Sequence, residues 1–465
     1  MELKEIEQKY NVQTLTYKGN HIWPLVRLKL NEEIRAVRNI QSRTFKLRWN
    51  IILKLLRTAT YGLKKLCSLR KYGYWIFSSS DRRKKTQNGT YEDRVVGFAA
   101  HLWQDSLIIE NPYPLGKHYK KNEVYPDEII SQTIFSLAVR IISIFLQKPK
   151  VENEPLLKKI FDDLGVKINY VRVIKEVRAQ YMLARFLLRF SRPKVVIFVY
   201  SASSMGFIKA FKEAGIPVVE IQHGVINESH YAYNIYKDFG NNFFPDYLFT
   251  YGKRECSIFH KENFFIDDSK VFPVGYYFLE MAKKNKESVA KAKMLKQRFK
   301  KVVAFSLQDP FDTFNFGFLD QVAALDPMVG YLLVPRNPIK LYDQFKTRPN
   351  VIIERDLNIY ECLAFADYHS TINSTCAIES LCFGVPNILY NYDGWAWRYY
   401  SNVLKDSGHT VFVDSADEFI ATLNRQQFFS REKIKKAGAL FFEDNFLQNV
   451  KRIVETEILT EGYAE

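Results

Sequence analysis

Glycine and proline are scarce, 20 and 16 of 465 residues, and no stretch is low in complexity or repeats at a fixed spacing. That excludes linker-dominated, fibrous and solenoid chains. Cysteine is scarce too: Cys67, Cys256, Cys362, Cys376 and Cys382 are scattered, odd in number, and form no Cys-x-x-Cys pair. With no histidine at zinc-ligand spacing, they read as reduced, mostly buried thiols rather than a disulfide framework or a zinc site. No run reaches the ~18 apolar residues that span a bilayer. The opening MELKEIEQKY is charged where a secretory signal would be apolar, so a cytoplasmic protein is expected.

Acidic residues are missing from one long segment. Between Glu33 and Asp81 there is none, while eleven cations from Arg35 to Lys71 fall there and carry much of the net charge of +16. Wound as a helix, FKLRWNIILKLLRTATYGLKKLC sets Phe45, Trp49, Ile52, Leu55, Leu56, Ala59, Leu63, Leu66 and Cys67 on one stripe. Lys46, Lys54, Arg57, Lys64 and Lys65 lie opposite. Such a helix either lies on an anionic membrane surface, through residues 35–71, or is a domain helix with a solvated basic back. Nucleic acid is not the expected partner, because no aromatic RNA-binding motif or zinc-finger spacing accompanies the charge.

What is present is a well-filled globular chain, 47% hydrophobic and 15% aromatic, long enough for two cores and an extension. YGYWIFSSS (Tyr72 to Ser80) reads as a buried strand and Asn169 to Phe190 as a long helix. KVVIFVY, a small-residue loop, the helix FIKAFKEAG closed by Gly215, and IPVVEI then form a strand–helix–strand crossover, which requires a parallel sheet. A second such run starts near Lys270 and contains the strands KVVAFSLQ, GYLLVPRNP and NVIIERD. The expected division is a basic helical extension (1–71), an α/β domain (72–269), a second α/β domain (270–440) and a C-terminal helix (441–465).

Two places carry chemistry. In VEIQHG, His223 follows a parallel strand, and the crevice outside the carboxyl ends of such strands is where ligands bind. An imidazole there either acts on a ligand or bonds a backbone carbonyl. Gln222 beside it, and Gly224 allowing close backbone approach, favour the former. Further on, Asn373, Ser374 and Thr375 stand where the apolar spacing of Ala377, Ile378, Leu381 and Cys382 starts a helix. Hydroxyls and amides at such a start suit phosphate, and also simply cap the helix. Glu379, one turn on, can accept from ribose hydroxyls.

The order VEIQHG, PDYLFTYGK, VFPVGY, SLQ, PR and HSTINSTCAIESLCFGVP resembles the GT-B glycosyltransferases of bacterial capsule and surface-polysaccharide synthesis. It is nearest to a capsule-synthesis group carrying a QHG motif, and SSSDRRKKTQNGTYEDRV also resembles the N-terminal motif of that group. The resemblance covers about Tyr72 to Tyr390. It implies two Rossmann-like domains facing across a cleft, the second holding a nucleotide-sugar donor. Ser374 and Thr375, with Asn373, would then bind the diphosphate and Glu379 the ribose. Arg336 would neutralise phosphate, although related chains read His-Pro-Arg where this one has Val334, Pro335 and Arg336. Ser306 and Gln308 would line the same cleft. Asp81, Arg82 and Arg83 belong to the N-terminal motif and, with Gln222 and Gly224, would face the acceptor.

An inverting transferase needs a base for the acceptor hydroxyl. His223 leads, Asp81 competes, and Glu220 either orients the ring or is a core-edge carboxylate. No Asp-x-Asp tripeptide occurs, so no metal cofactor is expected. The acceptor implied is an oligosaccharide, lipid-linked if the basic segment docks the protein peripherally on the inner membrane face. NYDGWAWRYY is aromatic enough to stack on sugar or base. A nucleotide-sugar 2-epimerase, a polyol-phosphate transferase and an inert membrane-docked scaffold are the alternatives.

Overall fold

The computed structural model describes residues 3–38, 57–86, 89–112, 118–228, 230–260, 262–283, 289–307, 312–335, 342, 348–405, 408–425 and 428–461. They form two α/β units, Met1–Tyr277 with Asn445–Glu465, and Phe278–Asp444.

The first unit is built on a seven-stranded parallel sheet. Its strands are β1 (Tyr74–Ser79), β2 (Ser106–Asn111), β3 (Ile129–Ser131), β4 (Val195–Phe198), β5 (Val218–Ile221), β6 (Tyr247–Thr250) and β7 (Val271–Pro273). The spatial order is β7-β6-β5-β4-β1-β2-β3, every neighbouring pair being parallel. Unbroken apolar runs such as Val195–Phe198 are buried along their whole length, as a sheet covered on both faces requires. The helices of this unit include α1 (Leu3–Lys9), α2 (Trp23–Arg38), α3 (Gln132–Phe145), α4 (Tyr170–Leu187) and α5 (Met205–Lys212). The α4 start is capped by Asn169, whose Oδ1 accepts from Arg172 N at 3.0 Å, and the chain leaving α5 turns at Gly215 with φ +68°.

Four expectations are corrected here. The N-terminal residues are no appendage: Leu3, Ile6, Trp23, Val26 and Leu30 share one buried core with Phe243, Phe244 and Phe259. Beneath them the buried Glu7 carboxylate accepts from Trp23 Nε1 at 2.9 Å, Arg27 Nε at 2.8 Å and Tyr236 N at 3.1 Å. Lys270 does not open the second unit, because β7 pairs in parallel with β6 and extends the first sheet. The C-terminal helix Phe446–Ile453 packs on that sheet as well.

The fourth concerns the basic helix. Residues 39–56 lie outside the described residues, and the chain beyond them is not one continuous helix. Residues 57–59 are helical, the chain turns at Gly62 with φ +71°, and Leu63–Lys71 winds as two 3-10 pieces kinked at Ser68. A Cβ at Gly62 would stand 2.0 Å from the Ile129 carbonyl oxygen, so this close approach needs glycine. Leu69 is buried, whereas Leu63 and Cys67 are exposed. Among the described residues no helix is long and apolar enough to cross a membrane.

The second unit carries a six-stranded parallel sheet of β8 (Lys301–Ser306), β9 (Val329–Val334), β10 (Val351–Ile353), β11 (Tyr368–Ser370), β12 (Asn387–Tyr390) and β13 (Thr410–Val413). Its order is β10-β9-β8-β11-β12-β13. α6 (Cys376–Glu379) and α7 (Trp395–Leu404) flank the carboxyl edge.

Candidate functional site

In each sheet the chain builds outward from its first strand, returns beside it, and builds the other way. The reversals fall between β1 and β4 in the first unit and between β8 and β11 in the second. At such a reversal the two loops leaving the carboxyl ends diverge and open a crevice.

In the first unit that crevice is a cavity of about 260 Å³. Ser79, Asp81 and Arg82 line it from beyond β1, and Tyr200, Ser203 and Ser204 from beyond β4, with Asn111 and Gln132 completing the wall. Burial lowers the pKa of Arg82, opposed by Asp81 and Asp93. His223 stands one strand over, beyond β5, its ring edge-on to Tyr200 at 5.9 Å between centroids. Desolvation first, then the charges of Arg82, His230 and Arg94, hold its pKa well below 6.5, while hydrogen bonding with the Val199 backbone opposes. Its Nδ1 is buried and has no hydrogen-bond partner among the described residues. The imidazole is therefore neutral at physiological pH, the form a proton acceptor needs.

The other residues expected in this region separate into wall and frame. Gln222 is fully buried and braces the loop, Nε2 donating to Gly224 O at 2.8 Å and Oε1 accepting from Tyr251 N at 2.6 Å. Apart from its two neighbours in sequence, no described residue comes within 4 Å of where a Gly224 Cβ would stand, so packing does not dictate glycine there. Glu220 does not orient His223. Its Oε1 accepts from Tyr233 Oη at 2.6 Å and its Oε2 from Ser201 N at 3.3 Å, and burial pushes its pKa up to about 7. Arg83 is likewise turned away from the cavity, because the pleat of its short strand points it inward. There its Nε donates to Glu110 Oε2 at 2.5 Å, and Glu110 Oε1 meets His118 Nδ1 at 2.7 Å.

In the second unit, Ser306 closes β8 and is buried, its Oγ 2.9 Å from His369 Nε2. His369 Nδ1 lies 2.7 Å from Asn387 Oδ1, and burial pushes this imidazole down to about 4. Ser306 thus belongs to a neutral network that ties β8, β11 and β12 together. Gln308 and Arg336 lie outside the described residues. Thr371 Oγ1 donates to Ser306 O at 2.9 Å and accepts from Ser374 N at 3.3 Å, which fixes the turn after β11. Ser374 Oγ accepts from Cys376 N at 3.3 Å, whereas Thr375, at the N-cap of α6, makes no capping bond with its side chain. The helix is shorter than its apolar spacing suggests: α6 has four residues and passes directly into a 3-10 turn.

Among the described residues, three polar atoms on this segment are buried without a partner: Ser370 Oγ, Asn373 Oδ1 and Glu379 Oε1. Glu379 is 1% exposed, and its other oxygen accepts from Tyr360 Oη at 2.9 Å. Orphaned buried polar groups are costly, so three within ten residues at a sheet reversal make this turn a candidate ligand site. Tyr200, Tyr360 and Ser370 were not singled out from the sequence, where nothing distinguishes them from core residues. The aromatic stretch after β12 divides between core and surface: Ala396 and Tyr400 are buried, Trp397 is exposed, and Tyr392 stacks on Phe314 at 4.1 Å. Among the described residues no three His, Cys, Asp or Glu side chains gather as a metal site would require.

No family model matches the chain, and no curated protein matches it. Among solved structures it is similar to the wall teichoic acid polymerase TagF at 12% identity and a TM-score of 0.48, over 94% of this chain and 98% of that one. It is also similar to the UDP-GlcNAc 2-epimerase of Methanocaldococcus jannaschii, at 13% identity and a TM-score of 0.46, over 82% and 99%. The enzyme of that name from Neisseria meningitidis gives 12%, 0.44, 82% and 98%.

Proposed function

We propose that this chain is a glycosyltransferase of surface-polysaccharide synthesis. The crevice of the second unit holds a nucleotide-sugar, and the cavity of the first unit presents the acceptor hydroxyl of an oligosaccharide or lipid-linked saccharide. The observation that carries this reading is the orphaned trio Ser370, Asn373 and Glu379. Two acceptor oxygens and a hydroxyl, each lacking a partner, match the vicinal hydroxyls of a ribose and the oxygens of a diphosphate.

Neutral His223 takes the proton of the acceptor hydroxyl as its oxygen attacks the anomeric carbon, and the nucleoside diphosphate departs with the glycosidic electrons. One displacement inverts the configuration. Asp81 is the competing base on the cavity wall. The leaving group is stabilised by protein dipoles and cations without a metal. An epimerase would need a second acid–base set beside the sugar. In the second unit the buried imidazole His369 is locked between Ser306 and Asn387, which favours transfer. An inert scaffold gives no reason to keep three unmatched polar atoms.

A thermal-shift screen against nucleoside diphosphates, their sugars and a CDP-polyol, with and without EDTA, tests this. A ligand at a hundred times its Kd adds about 2.7 kcal/mol of stability. One nucleotide family is expected to raise the Tm, to survive EDTA, and to lose its effect in Asn373→Ala. No shift with any nucleotide overturns the reading, and a shift confined to the CDP-polyol replaces sugar transfer by polyol-phosphate transfer.

A further inference from the structure

Two neighbouring helices of the first unit leave their outward faces bare. On α3, Ile141, Ile144 and Phe145 are 58%, 69% and 82% exposed. Along and just past α4, Met182, Phe186 and Phe190 are about half exposed, the two phenylalanines edge to face at 5.1 Å. Their spacings, i, i+3, i+4 and i, i+4, i+8, put each set on one stripe. The opposite faces are spent on the core, where Phe135 and Val139 meet Ala179, Leu183 and Ala184.

Topology brings the two stripes to the same end of the unit. α3 leaves the carboxyl end of β3 and runs back, and α4 ends shortly before β4 begins. Both therefore finish at the amino edge of a parallel sheet, opposite the cavity. The segment Leu63–Lys71 reaches the same edge, since Arg70 Nε donates to Phe190 O at 2.8 Å.

Charge then selects the partner. Residues 57–80, 129–151 and 177–212, which meet here, contain no aspartate or glutamate. Among the carboxylates that reach them from outside, Glu128 is engaged by Lys65 and Tyr72, and Glu213 by Tyr181 and Lys209. Exposed Arg140 and Lys148 flank the α3 stripe, and exposed Arg185 and Arg189 the α4 stripe. Aromatic and branched side chains rimmed by cations, without a carboxylate in the same stretches of chain, complement a bilayer carrying anionic headgroups. A protein partner of ordinary composition would be expected to meet both signs of charge.

We infer that the ends of α3 and α4, with residues 63–71, form a docking surface for an anionic lipid bilayer. It uses none of residues 39–56 and does not depend on the catalytic reading. It holds the first unit with the amino edge of its sheet toward the lipid.

The test is co-flotation of the full chain with vesicles of phosphatidylcholine alone or mixed with phosphatidylglycerol. Binding is expected only to the anionic vesicles. Arg185→Gln with Arg189→Gln should lower partitioning about 30-fold, at ~1 kcal/mol per cation, and Ile144→Ser with Phe145→Ser by at least about tenfold. Met294→Ser with Leu325→Ser, which alters exposed apolar residues of the second unit, should change nothing. Unchanged melting temperatures show that all three variants fold. Wild-type binding by both patch variants would move the docking site elsewhere and overturn the inference. So would a patch variant that dissociates a dimer in sedimentation velocity while vesicle binding stays absent, because the face would then belong to a second copy.

Discussion

Beneath the carboxyl edge of the first sheet lie two buried acids, Glu220 and Glu255, both pushed up to about 7 by desolvation. Beneath the corresponding edge of the second lies a buried imidazole, His369, pushed down to about 4. The first edge therefore keeps groups poised to exchange protons near neutrality, beside a neutral His223 and a cavity. The second keeps its titratable ring neutral inside a hydrogen-bonded network and leaves buried oxygens unmatched beside it. On the function proposed above, proton handling and polar recognition fall to different sheets of similar topology.

The contrast has opposite consequences in pH. A carboxyl whose folded pKa lies above its unfolded value of about 4.5 contributes stability that is full below that value and is lost as pH rises through about 7. An imidazole depressed from 6.5 contributes stability that is present above 6.5 and is lost as pH falls through about 4. The first unit should loosen on the alkaline side through its acids, and the second on the acid side through His369.

The largest effect is expected where the first unit is pinned. Glu7 and Arg27 form a buried pair, and Arg27 also donates to Tyr231 O and Asn234 O at 2.6 and 2.8 Å, in the loop after His223. Glu7→Gln leaves that cation buried without its counter-charge and should cost about 3–5 kcal/mol. Urea unfolding measures the loss, and hydrogen exchange should speed in residues 227–236 while β8 of the second unit stays protected. Next, Glu220→Gln should reduce the fall in unfolding free energy between pH 5 and pH 8 by about 3 kcal/mol. An unchanged pH profile would remove the contrast drawn above. Smallest is Tyr360→Phe, which frees the second oxygen of Glu379 and should change nucleotide affinity by about 1 kcal/mol, read by calorimetry.

Much of this arrangement could be read from the chain. The apolar runs Val195–Phe198 and Val218–Ile221, the two ends of a strand–helix–strand crossover, required a parallel sheet and put His223 at its carboxyl edge. HSTINSTCAIES likewise had too many polar side chains for a buried turn unless they had work to do. What could not be read depends on partners far along the chain. Glu7 finds Arg27 across twenty residues, and Arg27 finds carbonyls more than two hundred residues on. Glu220 looks like an orienting acid until Tyr233 and Ser201 are seen to take both its oxygens. β7 follows a long loop and precedes a helix, so its sequence gives no sign of which sheet it joins. Gly62 breaks an apparently amphipathic helix because the backbone of Ile129, far along the chain, occupies the space a side chain would need.

The decisive measurement is calorimetric titration of the wild type, His223→Ala and Glu379→Gln with the nucleoside diphosphate that stabilises the chain most. If recognition resides in the second unit and proton transfer in the first, the wild type and His223→Ala should bind with the same Kd, and Glu379→Gln at least about tenfold more weakly. Equal weakening in both variants, or none in Glu379→Gln, would contradict that division.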